Sequence, residues 1–429
     1  MLQTLRNAWK VEELRRKILF TLFIILLYRV GNAVPVPYID VAALEEYFAG
    51  IGDTVFGLFN AMSGNAFSSA TIFALSIQPY INASIIMQLL CIAIPALERM
   101  QKDGGDEGRK RIASITRYAT VGIGLLQGSA YYMMIRNFGM LSQRGPWEAV
   151  VIVLSFTAGS ALIMWLGEQI TEFGIGNGIS IVLFASIISR LPSAVVTLGT
   201  NLTTGAVSWF TLLAILAGVL LIIILIVFAS DAERRIPIQY AKQMRGRKMY
   251  GGQSTHLPMK VNMSGVMPII FAQSIASLPA TIMMFTNPEP APGSFAAGIQ
   301  GFFNTSSPFY IVLYFLLIIG FGFFYSTIQF NPIEVANNLK KNNGSIPGFR
   351  QGRPTSDFIR KVLNRITLFG SIYLGIVAAL PLAFGSTTKM AGVALGGTSI
   401  IIVVGVALET FKQLESQILM RNYKGFLDN

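Results

Sequence analysis

The chain has 429 residues, of which 53% are hydrophobic and only 13% charged, against roughly 25% charged in a soluble domain. One cysteine excludes an intramolecular disulfide, and one histidine without a Cys/His cluster excludes a structural zinc centre. A net charge of +12 suits anionic lipid, RNA phosphate or an acidic protein face, but basic membrane loops carry such a bias through topology alone.

Ten apolar stretches follow one another along the chain, at residues 18–37, 73–95, 112–135, 148–170, 172–193, 207–229, 262–285, 308–330, 364–385 and 390–409. Each approaches the roughly 17–25 residues that cross a hydrocarbon core. The first is basic and then apolar, like a signal peptide. It is longer than a signal h-region and runs into Pro35-Val36-Pro37 without a small-residue cleavage site, so it reads as a retained span.

The loops fix an orientation. With the N-terminus in the cytoplasm, 28 of the 33 Lys and Arg fall on the cytoplasmic side. Arg136, Arg144, Arg190 and Lys389 fall outside, and Arg29 lies within the first span. Basic loop residues are retained in the cytoplasm, which predicts both termini there. Ten spans with both ends inside divide into five plus five. Because five is odd, the second half enters from the opposite side, the condition for an inverted repeat with a pathway between halves. The expected halves are residues 1–200 and 201–429, hinged at a Thr/Gly/Asn-rich outer loop near 194–206. The predicted fold is thus an all-α polytopic membrane protein.

Residues 55–72 break this pattern. Phe56, Phe59, Met62 and Phe67 form a periodic apolar face, yet Asn60, Asn65 and several Gly and Ser residues make the segment too polar to span. It reads equally as an amphipathic helix on the outer surface or as a re-entrant half-helix, which is tolerated at depth only where protein buries it or it lines a cavity. Two long basic loops, 231–262 and 331–363, combine turn residues with the apolar anchors Tyr240, Tyr250, Ile346 and Phe349. Loops of this length are usually functional or disordered, and the anchors favour ordered docking hairpins.

Ionisable residues are scarce in the spans. Arg29, Arg117, Glu168, Glu172, Arg190 and Glu409 mostly lie near span ends, where long side chains snorkel. Cys91 reads as packing. A coupled secondary transporter needs a mid-membrane ion site, and an intramembrane enzyme needs clustered His, Asp or Glu near one interface. The sequence offers neither, with His256 alone in a loop. The run Gly174-Ile175-Gly176-Asn177-Gly178 follows no strand and is not a dinucleotide loop.

Five strings, in order along the chain, carry a resemblance. They are Ser76-Ile-Gln-Pro-Tyr-Ile-Asn-Ala-Ser-Ile-Ile-Met-Gln88, Gly174-Ile-Gly-Asn-Gly-Ile-Ser180, Ser254-Thr-His-Leu-Pro-Met-Lys-Val-Asn-Met-Ser-Gly-Val-Met-Pro268, Asn331-Pro-Ile-Glu-Val-Ala-Asn-Asn-Leu-Lys-Lys341 and Gly396-Gly-Thr-Ser-Ile-Ile-Ile-Val-Val404. On these the chain resembles the SecY family, the central channel subunits of the bacterial Sec protein translocase, from end to end.

The resemblance implies an hourglass channel that passes unfolded secretory chains and releases transmembrane segments sideways into lipid. It implies an aliphatic constriction at Ile77, Ile81, Ile179, Leu183, Ile270 and Ile402, where the family usually has isoleucine at the Leu183 position. The plug would be about 57–70, including Phe59, Asn60, Met62, Ser63, Gly64 and Phe67, a string less aromatic than is usual in the family. Asn82, Gln127, Asn262 and Leu278 would lie at a lateral gate. Arg245, Arg247, Lys248 and Arg350 would dock partners, Arg350 within a tip, Pro-Gly-Phe-Arg-Gln-Gly, that departs modestly from the family. The implied partners are SecE and SecG subunits, the SecA motor ATPase and the ribosome with its rRNA phosphates. No cofactor, metal or catalytic residue is implied, and the implied location is the bacterial cytoplasmic membrane. Independently, Ile77/Ile81 and Ile179/Leu183 are spaced i,i+4, so each pair shares a helix face.

Overall fold

A computed structural model describes residues 6, 8–50, 55–102, 104–143, 145–205, 208–240, 243–245, 248–250, 254–263, 265–286, 294, 298, 301–304, 307–388 and 391–424. Arg247, one of the expected docking residues, lies outside the described residues.

The chain is an all-α polytopic membrane protein that carries, among the described residues, a three-stranded sheet and a separate two-stranded ribbon. A helix falls on every expected apolar stretch. These are α1 (Glu12–Gly31), α4 (Gln78–Ala93), α6 (Gly105–Asn137), α7 (Pro146–Phe173), α8 (Gly178–Ile188), α10 (Trp209–Asp231), α11 (Met267–Thr286), α12 (Pro308–Gln329), α14 (Arg353–Thr388) and α15 (Ala391–Lys424). Shorter helices intervene: α2 (Val41–Gly50), α3 (Val55–Ser63), α5 (Pro95–Lys102), α9 (Leu191–Thr203) and α13 (Pro332–Lys341). Among the described residues, five helices are long and apolar enough to cross a membrane by length and composition, or six if one bent pair is a single span. That pair is α4 and α5, bent by 105°. The break is at Ile94, whose extended backbone (φ −108°, ψ 110°) is what a residue preceding proline adopts.

Two expectations need correction. The second apolar stretch does not become helical at 73. Residues 64–77 are mainly turns, with left-handed backbone at Gly64, Asn65, Ala70 and Ser76, and the helix begins at Gln78. The 194–206 region is largely helix α9 rather than a loop. Its threonines satisfy the turn by bonding back to it: Thr197 Oγ1 donates to the Ser193 carbonyl and Thr200 Oγ1 to the Thr197 carbonyl, both at 2.9 Å. Such bonds give the hydroxyls partners inside the helix, although they slightly weaken and often bend it.

The two long loops form one ordered unit. β1 (Glu233–Tyr240) pairs antiparallel with β4 (Ser254–Lys260), with Ile236 opposite Leu257 and Gln239 opposite Ser254. Between them, β2 (Gln243–Arg245) pairs with β3 (Lys248–Tyr250). β5 (Gly344–Ser345), from the second loop, adds to the free edge of β1. Ile236, Ile238 and Met259 bury against Leu339, Ile346, Ile359 and Leu363. The loops are ordered, as the apolar anchors predicted, and the hairpin and the second loop fold against each other.

The largest core lies between helices of the two expected halves. Residues of α1, α4, α7 and α8 meet residues of α11, α12 and α15 there. A second core gathers α2, the 66–75 turns, α6 and α7, and a third gathers α10, α11, α12, α14 and α15.

Candidate functional site

The first core contains all six aliphatic residues expected at the constriction. Ile77, Ile81, Leu183, Ile270 and Ile402 are buried in it, and Ile179 packs against it half-buried. Four segments deliver them, each set by local chemistry. Ile77 is the N-cap of α4, Pro79 opens the helix, and the Ile81 amide closes the first turn on the Ile77 carbonyl at 3.1 Å. Asn177 caps α8, its Oδ1 accepting from the amides of Ile179 at 3.1 Å and Ser180 at 3.4 Å. That cap fixes where Ile179 and Leu183 project. Ile270 sits in the opening turn of α11, its amide on the Val266 carbonyl at 3.3 Å. Ile402 comes from α15 beside Val406.

Segment 55–72 is not a surface helix. Ala61, Met62 and Ser63 at the end of α3, and Ala66, Phe67, Ser68 and Ala70 in the turns after it, are all buried in protein. Met62 belongs to the same core as the six aliphatics. Buffering of its polar atoms is internal: Asn60 Oδ1 accepts from the Ser68 amide at 3.0 Å, and Ser63 Oγ accepts from the Phe67 amide at 3.1 Å. Gly64 follows Ser63 at φ +68°, and a Cβ there would lie 2.8 Å from both the Ser186 carbonyl oxygen of α8 and Oγ of Ser189, the C-cap of that helix. Phe67 stacks on Tyr131 with ring centroids 4.4 Å apart, and the Tyr131 hydroxyl donates to the Phe67 carbonyl. Phe59 is half-buried beside Phe67.

Several polar partners of this segment escaped the sequence reading. Tyr28 and Ser186 share a hydrogen bond of 2.6 Å. The Ser63 carbonyl accepts from Tyr28 and from Asn32 Nδ2, each at 3.4 Å. Gln78 and Gln273, both buried, donate to the Met62 sulfur at 3.2 and 3.4 Å. The available signal was the presence of glutamines within apolar spans, since polar side chains there seek partners on other helices. In the sequence, Arg117 and Glu168 read only as ionisable residues near span ends. They pair, Nε to Oε1, at 2.8 Å.

The expected gate residues lie on α4, α6 and α11 and just before α11. Asn82, Gln127 and Asn262 are half-buried, while Leu278 is 45% exposed on α11. α11 touches α4 and α6 along short seams only, whereas α4 packs extensively on α6. Arg350 is exposed at the tip of the second loop, between Gly348 (φ +86°) and Gly352 (φ +95°). Phe349 and Phe358 brace that tip with ring centroids 4.2 Å apart. Arg245 and Lys248 lie on the β2–β3 ribbon at the end of the hairpin, paired in register. The structure thus brings the six aliphatics together with Met62 in one core, places Phe59 and Phe67 in the neighbouring core, and carries Arg350 on the folded unit made by the two long loops.

Such a site has no reacting groups. Aliphatic side chains offer neither hydrogen bonds nor charge, and among the described residues no group of His, Cys, Asp or Glu could hold a metal. What it can do is close or yield.

The family profile described as SecY matches residues 71–411. The protein translocase subunit SecY of Streptomyces galbus is 45% identical over 443 residues, covering 100% of both chains. That of Mycobacterium bovis is 43% identical over 455 residues, again covering 100% of both. A solved protein-conducting channel shares the fold with a TM-score of 0.67 at 18% identity, covering 94% of this chain and 92% of that one. Sec61 in the canine ribosome–channel complex shares it with a TM-score of 0.63 at 18% identity, covering 94% and 92%. The apolar core between helix sets, the buried segment beside it and the full-length similarity lead to one assignment: the chain belongs to the SecY family of protein-conducting membrane channels and is not an enzyme.

Proposed function

We propose that this channel has ten spans in two inverted five-helix halves, residues 1–200 and 201–429, and that its closed pore is the aliphatic core between them. Ile77, Ile81, Ile179, Leu183, Ile270 and Ile402 form the constriction, and residues 57–70 form the plug. The observation that carries this reading is the convergence of the six side chains, with Met62, on one buried cluster. Unfolded secretory chains pass through it. Such a constriction excludes ions by dewetting when closed, and it deforms around a chain without binding it selectively.

α4 and α11 form the sides of a lateral gate, with Asn82, Gln127, Asn262 and Leu278 along it. The short seam between them supports this, since little packing must be broken to part them. A transmembrane segment leaving there gains its transfer energy in lipid. The two basic loops dock the SecA motor and, in co-translational transport, the ribosome with its rRNA phosphates, through Arg245, Arg247, Lys248 and Arg350. SecE and SecG complete the complex in a bacterial cytoplasmic membrane, with both termini cytoplasmic. No cofactor is required.

Photoreactive residues at Ile402 and Leu278 test this. In proteoliposomes holding a translocation-arrested substrate, position 402 should crosslink to the translocating chain and position 278 to its signal segment. Crosslinks to lipid alone from position 402 contradict the pore assignment.

A further inference from the structure

The Met62 sulfur at the end of α3 is shared by two amides from different helices. Gln78 Nε2, at the start of α4, donates to it at 3.2 Å, and Gln273 Nε2, in the second turn of α11, at 3.4 Å. Both glutamines are buried, and Met62 is 3% exposed. We propose that this three-residue contact is a latch that sets the opening threshold of the channel, and therefore how weak a signal segment it accepts. The inference rests on the reading of residues 57–70 as plug and of α4 and α11 as gate.

The chemistry gives the latch a sign. A thioether is a weak acceptor, yet two primary amides are buried against it. Gln273 Oε1 is buried as well, with no hydrogen-bond partner among the described residues. Buried amides strongly prefer full pairing, so both glutamines are poorly served in the closed state. When α4 and α11 part, one sulfur cannot follow both donors, and at least one bond breaks. Water in the opened channel then offers stronger partners. The glutamines therefore favour opening, and Met62 offsets part of that bias by giving them something to hold.

Opposite effects follow from the two sides of the latch. Met62→Leu conserves volume but strands both donors in the closed state. Gln78→Met with Gln273→Met removes the donors and the orphaned acceptor together. A plug held by apolar fit alone predicts that all of these are nearly silent.

The test uses the channel reconstituted with its partner subunits, measuring resting open probability in planar bilayers and transport of substrates with graded signal hydrophobicity. Met62→Leu should raise the open probability about fivefold or more, the scale of an unpaired buried amide, and admit weaker signals. The double glutamine variant should lower it and reject signals the parent accepts. Adding Met62→Leu to the double variant should then change little. A silent Met62→Leu, or one whose effect persists undiminished without the glutamines, overturns the latch. Phe67→Cys in a Cys91→Ser background reports separately on the plug, using an impermeant maleimide from outside. Labelling only during transport upholds the plug whatever the latch variants do, and free labelling at rest removes the plug reading and the latch with it.

Discussion

Tyr28 of α1 and Ser186 of α8, 158 residues apart, share a buried hydrogen bond of 2.6 Å. Ser186 Oγ also lies 2.8 Å from the Val182 carbonyl, and either oxygen of the pair can be the donor, so the single proton of the Tyr28 hydroxyl is not committed to Ser186. The same hydroxyl lies 3.4 Å from the Ser63 carbonyl. One tyrosine thus ties the first helix, the buried segment and the constriction helix α8 together. Tyr28→Phe should keep the ring, stacked on Phe73 with centroids 5.6 Å apart, and lose only the hydroxyl. A net loss of about 0.5–1.5 kcal/mol should make Phe67→Cys in a Cys91→Ser background, shielded at rest when Tyr28 is present, label faster from outside. An unchanged labelling rate would mean that the tyrosine does not hold the segment.

Gly64 gives a stronger perturbation of the same contact. Alanine there must hold a left-handed backbone at a cost of roughly 1–2 kcal/mol. Its Cβ would also press on the Ser186 carbonyl. Gly64→Ala should unseat the segment and raise resting conductance, whereas Gly199→Ala, with open space around it, should not. Equal conductance in the two variants would show that close approach at Gly64 is unimportant.

Much of this was legible in the sequence, and the reasons are local. Apolar run length located the helices, and the i,i+4 spacing of Ile77/Ile81 and Ile179/Leu183 gave each pair a common face. Their convergence with Ile270 and Ile402 was legible only through family motifs, because isoleucines within spans look alike whether they face lipid or core. The α9 helix was missed because threonine, glycine and asparagine read as loop until their hydroxyls are seen bonding back to the helix. Pairings such as Arg117–Glu168, Tyr28–Ser186 and Gln273–Met62 join positions 51, 158 and 211 residues apart. No periodicity encodes contacts at that distance.

Close helix crossing makes a stability prediction. A Cβ on Gly178 would collide with the Gly167 carbonyl oxygen where α8 turns back on α7. Overpacking of this kind typically costs about 1–3 kcal/mol. Gly178→Ala should lower the thermal midpoint of the purified channel and shift the Asn177 cap, displacing Ile179 and Leu183. A midpoint equal to the parent's would mean that the crossing relaxes freely.

The loop tip separates charge from fold. Arg350 is exposed, while its backbone carbonyl accepts from Thr355 Oγ1 at 2.7 Å and neighbouring Gln351 Nε2 donates to the Gly344 carbonyl at 3.1 Å. Arg350→Glu should therefore leave the tip folded and the channel inserted. Transport driven by the motor or the ribosome should fall severalfold, as expected when a charge meets its own sign across an interface. Normal transport rates in that variant would remove the docking role.

Resting ion conductance of Ile402→Asn in reconstituted bilayers tests the constriction most directly. Asparagine places an amide among side chains that offer water no hydrogen bond, and a lost aliphatic contact costs about 1–3 kcal/mol. The open population should rise roughly 5- to 150-fold, with Ile81→Asn and Ile270→Asn behaving alike and all three accepting poorer signal segments. If all three variants remain as tight and as selective as the parent, these residues do not form the gate.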